Sequence, residues 1–262
     1  MLGSAAGGGC PQWNCACETC RRGHARLQDS VAVSGDGRSW YLINASPDIR
    51  TQLIGTPSLR PGPGLRETPV RGVLLTTAEL DHTIGLLSLR EADSLIVYAT
   101  SAVTTALAPL RALLSAYTNV EWRDLPAQLD LDGGLSVRRL TVGSKRPRYA
   151  AGLPGDGWVS ALRISGPPEF VYATCLPAWT TEFDDFIAGA GEVLLDGTFA
   201  TDDELTRMTG RRGSAAGMGH LPMADSRPHL ARHPGTRFRY GHLNNTNSAA
   251  GPDVAEDGIE LI

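Results

Sequence analysis

Four of the chain's five cysteines, Cys10, Cys15, Cys17 and Cys20, fall within eleven residues, directly behind the run Gly7-Gly8-Gly9. Spaced as Cys-x-Cys-x-x-Cys on a short loop, soft thiolate sulfurs can turn inward on one small ion, an arrangement that tetrahedral zinc prefers. Two other readings stay open. A redox pair of Cys17 and Cys20 fits the Cys-x-x-Cys spacing but leaves Cys15 without a role, and unligated thiols are compatible with a reducing compartment. Disulfides fit poorly, because so close a set rarely meets bridge geometry twice in one loop. Cys175, in Ala173-Thr174-Cys175-Leu176-Pro177, has no obvious partner and no local activating signature, and reads as a small buried thiol.

Carboxylates and imidazoles gather at the ends of apolar runs. Leu74-Leu75-Thr76-Thr77-Ala78-Glu79-Leu80-Asp81-His82 reads as a strand that ends in a polar corner and opens a helix, and such corners face the space where ligands tend to sit. Asp81 and His82 there offer a carboxylate oxygen and a ring nitrogen to a common point. The ordinary alternative is an Asp N-cap beside a surface histidine. Val193-Leu194-Leu195-Asp196-Gly197-Thr198 delivers a second carboxylate at a strand end, while His220 and His242 sit on glycine-bearing or polar corners. His24, His229 and His233 lie among arginines and polar residues and are expected on the surface. No Gly-x-Ser-x-Gly nucleophile elbow occurs. Gly3 to Gly9 has neither the spacing of a dinucleotide fingerprint nor the lysine of a phosphate loop, and reads as a tight turn.

The elements that position these groups are short. β-rich apolar runs recur at Trp40 to Asn44, Gly72 to Thr76, Leu95 to Tyr98, Leu135 to Leu140, Trp158 to Ile164, Phe170 to Ala173 and Val193 to Leu195. Helical patterns lie at Pro47 to Ile54, His82 to Leu89, Val103 to Tyr117, Trp179 to Ala188 and Met223 to Ala231. Arg60 to Arg66 and Arg146 to Gly157 are loops long enough to border a site. With 262 residues the chain suits one α/β domain spanning 1–262. The formal net charge of −4 gives no reason to expect nucleic acid as a partner, and the short cluster Arg207 to Arg212 reads as a solvated loop. No charged segment followed by a long apolar stretch opens the chain, and no window of about eighteen apolar residues occurs, so a soluble cytoplasmic protein without a membrane partner is expected.

Taken in order, several blocks carry a family likeness. They are Leu2-Gly3-Ser4-Ala5-Ala6-Gly7-Gly8-Gly9, Pro11-Gln12-Trp13-Asn14-Cys15, Asn44-Ala45-Ser46-Pro47-Asp48-Ile49-Arg50, Asp81-His82-Thr83, Gly85-Leu86-Leu87-Ser88-Leu89-Arg90-Glu91, Leu195-Asp196-Gly197-Thr198, Met218-Gly219-His220 and His242-Leu243-Asn244-Asn245-Thr246-Asn247. Together they span nearly the whole chain, which resembles the pyrroloquinoline quinone (PQQ) biosynthesis protein B family, a branch of the metallo-β-lactamase fold. The resemblance implies an αββα four-layer sandwich with the metal site at one edge. Hydrolytic members of that superfamily carry His-x-His-x-Asp-His, whereas this chain has Thr77-Ala78-Glu79-Leu80-Asp81-His82, so a two-metal hydrolase site loses half its nitrogen ligands.

What remains, Asp81, His82 and His242, is the ligand set of a facial-triad iron(II) site with open positions for substrate and O2. The family likeness implies an iron(II)- and O2-dependent hydroxylation of the tyrosine ring in a cross-linked glutamate-tyrosine compound cut from a precursor peptide. It places Asp196 and His220 where RNA-processing relatives of the fold carry a proton-transferring pair. Cys15, Cys17 and Cys20 then match a structural zinc site, with Cys10 or Asn245 competing for the fourth position; a relative in phosphonate metabolism supplies a histidine where Asn245 stands. Arg50, Arg90 and Lys145 are candidates for substrate carboxylates or ordinary surface pairs.

Three departures from the family pattern stand out: Thr77 replaces a common Asp, the residues ahead of Leu2 that complete the first strand are missing, and the C-terminal third is shortened. Arg237 to Gly241 is less apolar than a buried strand should be, so one sheet edge is expected to be frayed. Two other functions fit the reduced ligand set, a non-catalytic carrier that holds PQQ or its precursor for transport, and a residual one-zinc metallohydrolase. Self-association as a homodimer stays open.

Overall fold

In strand β2 (Trp40–Ile43) Tyr41 and Ile43 point one way, Leu42 points the other, and all three are buried. The same alternation recurs in β9 (Phe170–Ala173) and β10 (Glu192–Asp196), every residue of which is buried. Strands apolar on both faces need cover on both sides. The computed structural model, which describes residues 1–261, supplies it with two stacked sheets flanked by helices.

The first sheet runs β1 (Val31–Val33), β2, β3 (Val70–Leu74), β4 (Ser94–Ala99) and β5 (Asn119–Asp124), antiparallel at the first pair and parallel thereafter. The second runs β11 (Arg237–Gly241), β10, β9, β8 (Val159–Ile164), β7 (Leu135–Gly143) and β6 (Gln128–Leu131). Its β9, β10 and β11 are parallel, and the pairings from β6 to β9 are antiparallel. Tyr41, Ile43, Leu74 and Tyr98 of the first sheet meet Val137, Leu162, Tyr172 and Leu194 of the second in the central core. On the outer face of the first sheet, Leu42, Val73 and Val97 pack beneath Ile49 of α2 (Ile49–Gly55) and Val103 of α4 (Ser101–Ala106). On the outer face of the second, Val171, Val193 and Tyr240 pack beneath Phe183 of α6 (Thr181–Ile187) and Met223 of α8 (Met223–Leu230). These are the four layers of the expected αββα sandwich.

Several elements differ from their sequence reading. The helix expected over Val103 to Tyr117 is two helices, α4 and α5 (Ala108–Leu114), because Pro109 lacks the N–H that a continuous helix would use and fits only in the first turn of a new one. The pattern from His82 to Leu89 divides into the single turn α3 (Leu80–Thr83) and a 3₁₀ segment over Ile84–Leu89. The expected fraying is confined to the outermost row. β11 pairs with β10 from Glu192↔Arg237 to Asp196↔Gly241, and beyond it lies one bridge, Tyr240↔Val254. The charge at the middle of β11 is accommodated by the first residue of β10, Arg239 Nε donating to Glu192 at 2.6 Å. The N-terminal segment likewise joins by single bridges, Gly3↔Ser30 and Cys10↔Arg26. Among the described residues no helix is long and apolar enough to cross a membrane.

The division after α3 has a steric cause. Gly85 lies against the Asn44-Ala45-Ser46 corner, its N–H donating to the Ala45 carbonyl at 3.0 Å, and a Cβ there would stand 2.0 Å from the Ser46 carbonyl oxygen. The Gly85→Ala variant is expected to be destabilised by roughly 1–3 kcal/mol through that overlap. Urea unfolding checks it, and a midpoint unchanged from wild type would mean that the corner yields freely.

Candidate metal centre

Parallel strands deliver their carboxyl ends to one edge of a sheet. Cys175 follows β9, Asp196 ends β10, His242 follows β11, and Asp81 and His82 follow β3 by way of α3. His220 arrives on the loop behind the 3₁₀ segment Ala216–Met218, where Gly219 takes a left-handed φ of 80°. His242 itself has φ 56°, an uncommon conformation for a residue with a side chain. It is held there by its neighbours: Leu243 N–H donates to Ser4 O at 2.8 Å and Asn244 N–H to Thr198 O at 3.0 Å. The groups surround a cleft of about 220 Å³ lined by Asp81, His82, Cys175, His220, His242 and Lys145 among others.

Asp81 Oδ2 accepts from the Gly7 N–H at 2.8 Å and lies 3.3 Å from His242 Nε2. The tight turn read at Gly3 to Gly9 thus serves the site by fixing a carboxylate. Asp81 is an interior residue of α3 and not its N-cap, which is Glu79. Thr77 Oγ1 lies 2.9 Å from His82 Nδ1, and Thr198 Oγ1 lies 2.9 Å from His242 Nδ1. With each Nδ1 occupied, each ring presents Nε2 to the cleft. His82 Nε2 is buried without a hydrogen-bond partner, 3.7 Å from Asp29 Oδ2, and Asp29 Oδ1 is unpartnered too. An unmade hydrogen bond at a buried polar atom costs about 1–3 kcal/mol, and a cation seated between His82 Nε2 and Asp81 would satisfy the His82 nitrogen. One nitrogen each of His82 and His242 and the Sγ of Cys175 lie within 4.8 Å of one another.

Beside this group stands a second pair. Asp196 Oδ2 accepts from His220 Nδ1 and from the Leu176 N–H, both at 2.8 Å, and its Oδ1 accepts from the Thr198 N–H at 3.0 Å. Asp196 thus accepts from three donors, one of them the His220 ring.

The charges are tightly coupled. Burial alone would raise the Asp81 carboxyl, but the His82 and His242 imidazoles and the Gly7 N–H hold it far below the usual carboxylate range. Burial lowers His82, and the Asp81 charge does not restore it. Burial would also lower His242, yet its hydrogen bond to Asp81 raises it above an ordinary histidine. Cys175 is pushed well up by burial and by Asp196, Asp81 and Asp29.

In the cysteine loop, the sulfurs of Cys15, Cys17 and Cys20 lie within 4.8 Å of one another. The loop closes into α1 (Glu18–Arg22), and the Gln12 N–H points at Cys20 Sγ at 3.4 Å. The Asn245 carboxamide sits 3.4 Å from Cys20 Sγ and 3.8 Å from Cys17 Sγ. Half a turn of that amide presents Oδ1 to the same point. Cys10 lies outside the three-sulfur group, its thiol pushed up to about 11 chiefly by burial and then by Cys20 and Cys17.

Sequence reasoning brought together Asp81, His82, His242, Asp196 and His220, and the structure places all five at one cleft. It missed three contributors. Thr77, noted only as a departure, orients His82; Thr198 braces both His220 and His242; and Asp29, ahead of the three-residue β1, carried no signal at all. Cys175, read as an inert thiol, lies among the donors. Of the substrate candidates only Lys145 lines the cleft, its Nζ 3.8 Å from Glu79 Oε1, while Arg50 and Arg90 are exposed elsewhere. His24 is exposed as expected. His229 and His233 are half-buried at the surface: His229 stacks on Trp179, and the His233 side chain is 9% exposed with Nε2 3.1 Å from Asp184. The apolar ring of Trp179 draws both histidines inward, a contact that their polar sequence neighbours conceal.

A family model described as a β-lactamase superfamily domain matches residues 39–242. The chain is 37% identical to coenzyme PQQ synthesis protein B of Methylobacterium nodulans over 298 aligned residues, covering 100% of this chain and 98% of that protein. The crystal structure of zinc-bound PqqB from Methylobacterium extorquens is similar with a TM-score of 0.89 at 31% identity, covering 100% of this chain and 98% of that one. A diphosphatase of the PhnP family shares the fold, with a TM-score of 0.73 at 19% identity over 100% of this chain and 95% of its own.

The hydrogen bond to Asp81 raises the His242 pKa, so replacing that carboxylate lowers it. In metal-free Asp81→Asn protein the His242 pKa is expected to fall from its raised value, with Asp29 and Asp196 left to oppose burial. Histidine ring ¹⁵N titration by NMR reads it directly. A raised folded-state pKa contributes stability below about pH 6.5 that is lost as pH rises through the raised value, and Asp81→Asn is expected to remove that contribution. An unmoved His242 titration would mean that another group holds the proton.

Proposed function

The chain belongs to the coenzyme PQQ synthesis protein B family within the β-lactamase superfamily, and from that membership we propose that it acts in PQQ biosynthesis as an iron(II)- and O2-dependent hydroxylase. Its substrate is the tyrosine ring of a cross-linked glutamate-tyrosine compound. The observation that carries the reading is the buried, unpartnered His82 Nε2 in a cleft shared with Asp81 and His242, with Thr77 and Glu79 where a two-metal hydrolase needs histidines. Asp81, His82 and His242 would hold iron(II), which supplies the O2 chemistry that no side chain provides. One oxygen atom of O2 enters the ring, and the other leaves as water with two electrons from an added reductant.

The protein's own residues prepare that step. Thr77 and Thr198 fix the rings of His82 and His242, so the two imidazoles are oriented before metal arrives. Asp196 fixes the tautomer of His220, leaving its other nitrogen to exchange a proton with the substrate phenol. Lys145 at the rim would pair with a substrate carboxylate, with Glu79 beside it for an amino group. Cys15, Cys17 and Cys20, with the Asn245 carboxamide, would hold a structural zinc that ties the N-terminal loop to the segment following His242.

A zinc-bound relative supports one alternative, a one-zinc hydrolase; a carrier of PQQ or its precursor is the other. Anaerobic reconstitution with iron(II), then O2, ascorbate and the cross-linked compound, decides among them by product mass. The hydroxylase gains one oxygen atom, and the gain is lost in His82→Ala. His220→Ala is expected to retain metal but lower turnover by about 10²-fold or more with an altered pH profile. An unchanged profile would remove the proton-transfer role. Substrate bound without mass change would favour the carrier, and cleavage with zinc alone the hydrolase.

A further inference from the structure

Cys175 has no role in the reading above, yet it lies inside the centre. It is a free thiol, and its Sγ and one nitrogen each of His82 and His242 lie within 4.8 Å of one another, close enough to share one ion. Its backbone is anchored on both sides: Thr174 Oγ1 donates to Asp29 Oδ2 at 2.9 Å, and the Leu176 N–H donates to Asp196 Oδ2 at 2.8 Å. Those two carboxylates are themselves buried, so the turn that carries the sulfur is fixed by groups of the site. A second, independent observation points the same way. The His82 Nε2 atom is fully buried and, among the described residues, has no hydrogen-bond partner, with Asp29 Oδ2 3.7 Å away.

We infer that the Cys175 thiolate is a fourth protein ligand of the metal held by Asp81, His82 and His242, giving this chain a mixed oxygen, nitrogen and sulfur donor set. The inference rests on the metal centre of the proposed function and not on its reaction. A thiolate makes the set softer than a facial triad, so it favours cobalt(II), iron(II) and zinc over manganese(II), which prefers oxygen donors. It also takes one of the positions that a three-residue triad leaves for exogenous ligands.

Cobalt(II) reports sulfur ligation through a near-ultraviolet charge-transfer band, separately from the visible d–d bands that report bound metal. The metal-free full-length protein receives one equivalent of zinc to fill the cysteine loop, then cobalt(II) under anaerobic conditions. The expected result is a charge-transfer band in wild type and in Cys17→Ser that disappears in Cys175→Ser while the d–d bands remain. Cobalt(II) affinity falls about tenfold or more in Cys175→Ser, and manganese(II) affinity changes little. If Cys175→Ser proves unstable, Cys175→Asp keeps an anionic donor and is expected to bind cobalt(II) without the charge-transfer band. A band that persists in either variant, or d–d bands dependent on His82 with no charge transfer in wild type, would overturn the sulfur ligand and leave the metal centre standing. Cobalt(II) spectra identical in wild type and His82→Ala would overturn the centre itself, and the inference with it.

Discussion

One carboxylate, that of Asp81, joins three parts of the molecule that the sandwich alone would leave separate. Asp81 belongs to the corner after the third strand of the first sheet, accepts from the Gly7 N–H of the N-terminal turn, and meets His242 from the last strand of the second sheet. Placing a charge there is unfavourable by burial alone, and the imidazoles and the amide overcome that penalty. The contact therefore fixes how the two sheets' edges meet, and with it the width of the cleft.

Beneath that contact a buried polar network stiffens the floor. Asn44, in a left-handed conformation at φ 62°, accepts from the Thr76 N–H at 2.9 Å and donates to Tyr172 Oη at 2.8 Å. Tyr172 donates in turn to Asp29, which also accepts from Thr174. Thr76 and Asn44 come from the first sheet and Tyr172 from the second, so the chain of bonds crosses the central core. A connected buried network of this kind favours one arrangement of its members, although it leaves Asp29 Oδ1 without a partner. Here it sets the height of Thr77 and Thr174, the residues on which His82 and Cys175 depend.

Legibility in the sequence followed the range of the causes. The strands that alternate apolar side chains around Leu42, Val171 and Leu194 could be read because their burial is written in period two, and Asp81 and Asp196 because each follows such a run. The edge strand β5 could not, since its exposed half carries Glu121 and Arg123 paired with each other and its polarity masks the alternation. The break between α4 and α5 was visible in Pro109 but outweighed by the leucine and alanine spacing around it. Asp29 and Cys175 were opaque for another reason. Their significance lies in contacts distant along the chain, such as Thr174 with Asp29 across 145 residues, which no local pattern records. The cysteine loop was legible in its three sulfurs, whereas the approach of Asn245 depended on where the segment after His242 is pinned. That pinning comes from Thr246 donating to the buried Glu204 at 2.6 Å and Asn247 donating to the Gly197 carbonyl at 2.7 Å.

The charge inventory of the cleft explains why its parts hold together without a hydrolase's full ligand set. Asp29, Asp81 and Asp196 are three carboxylates gathered around three imidazoles in a site shielded from water. Like charges so placed must be balanced by protons or by a cation. The two histidines nearest Asp81 are shifted in opposite directions: the hydrogen bond to Asp81 raises His242 against its burial, while burial lowers His82, which is held at Nδ1 by Thr77. A buried Nε2 without a hydrogen-bond partner is placed to ligate, and an arriving divalent ion would compete with protonation of His242. Metal binding and protonation of His242 are then competing ways of neutralising the same carboxylate, which makes Asp81 the pivot of the site's electrostatics as well as of its geometry.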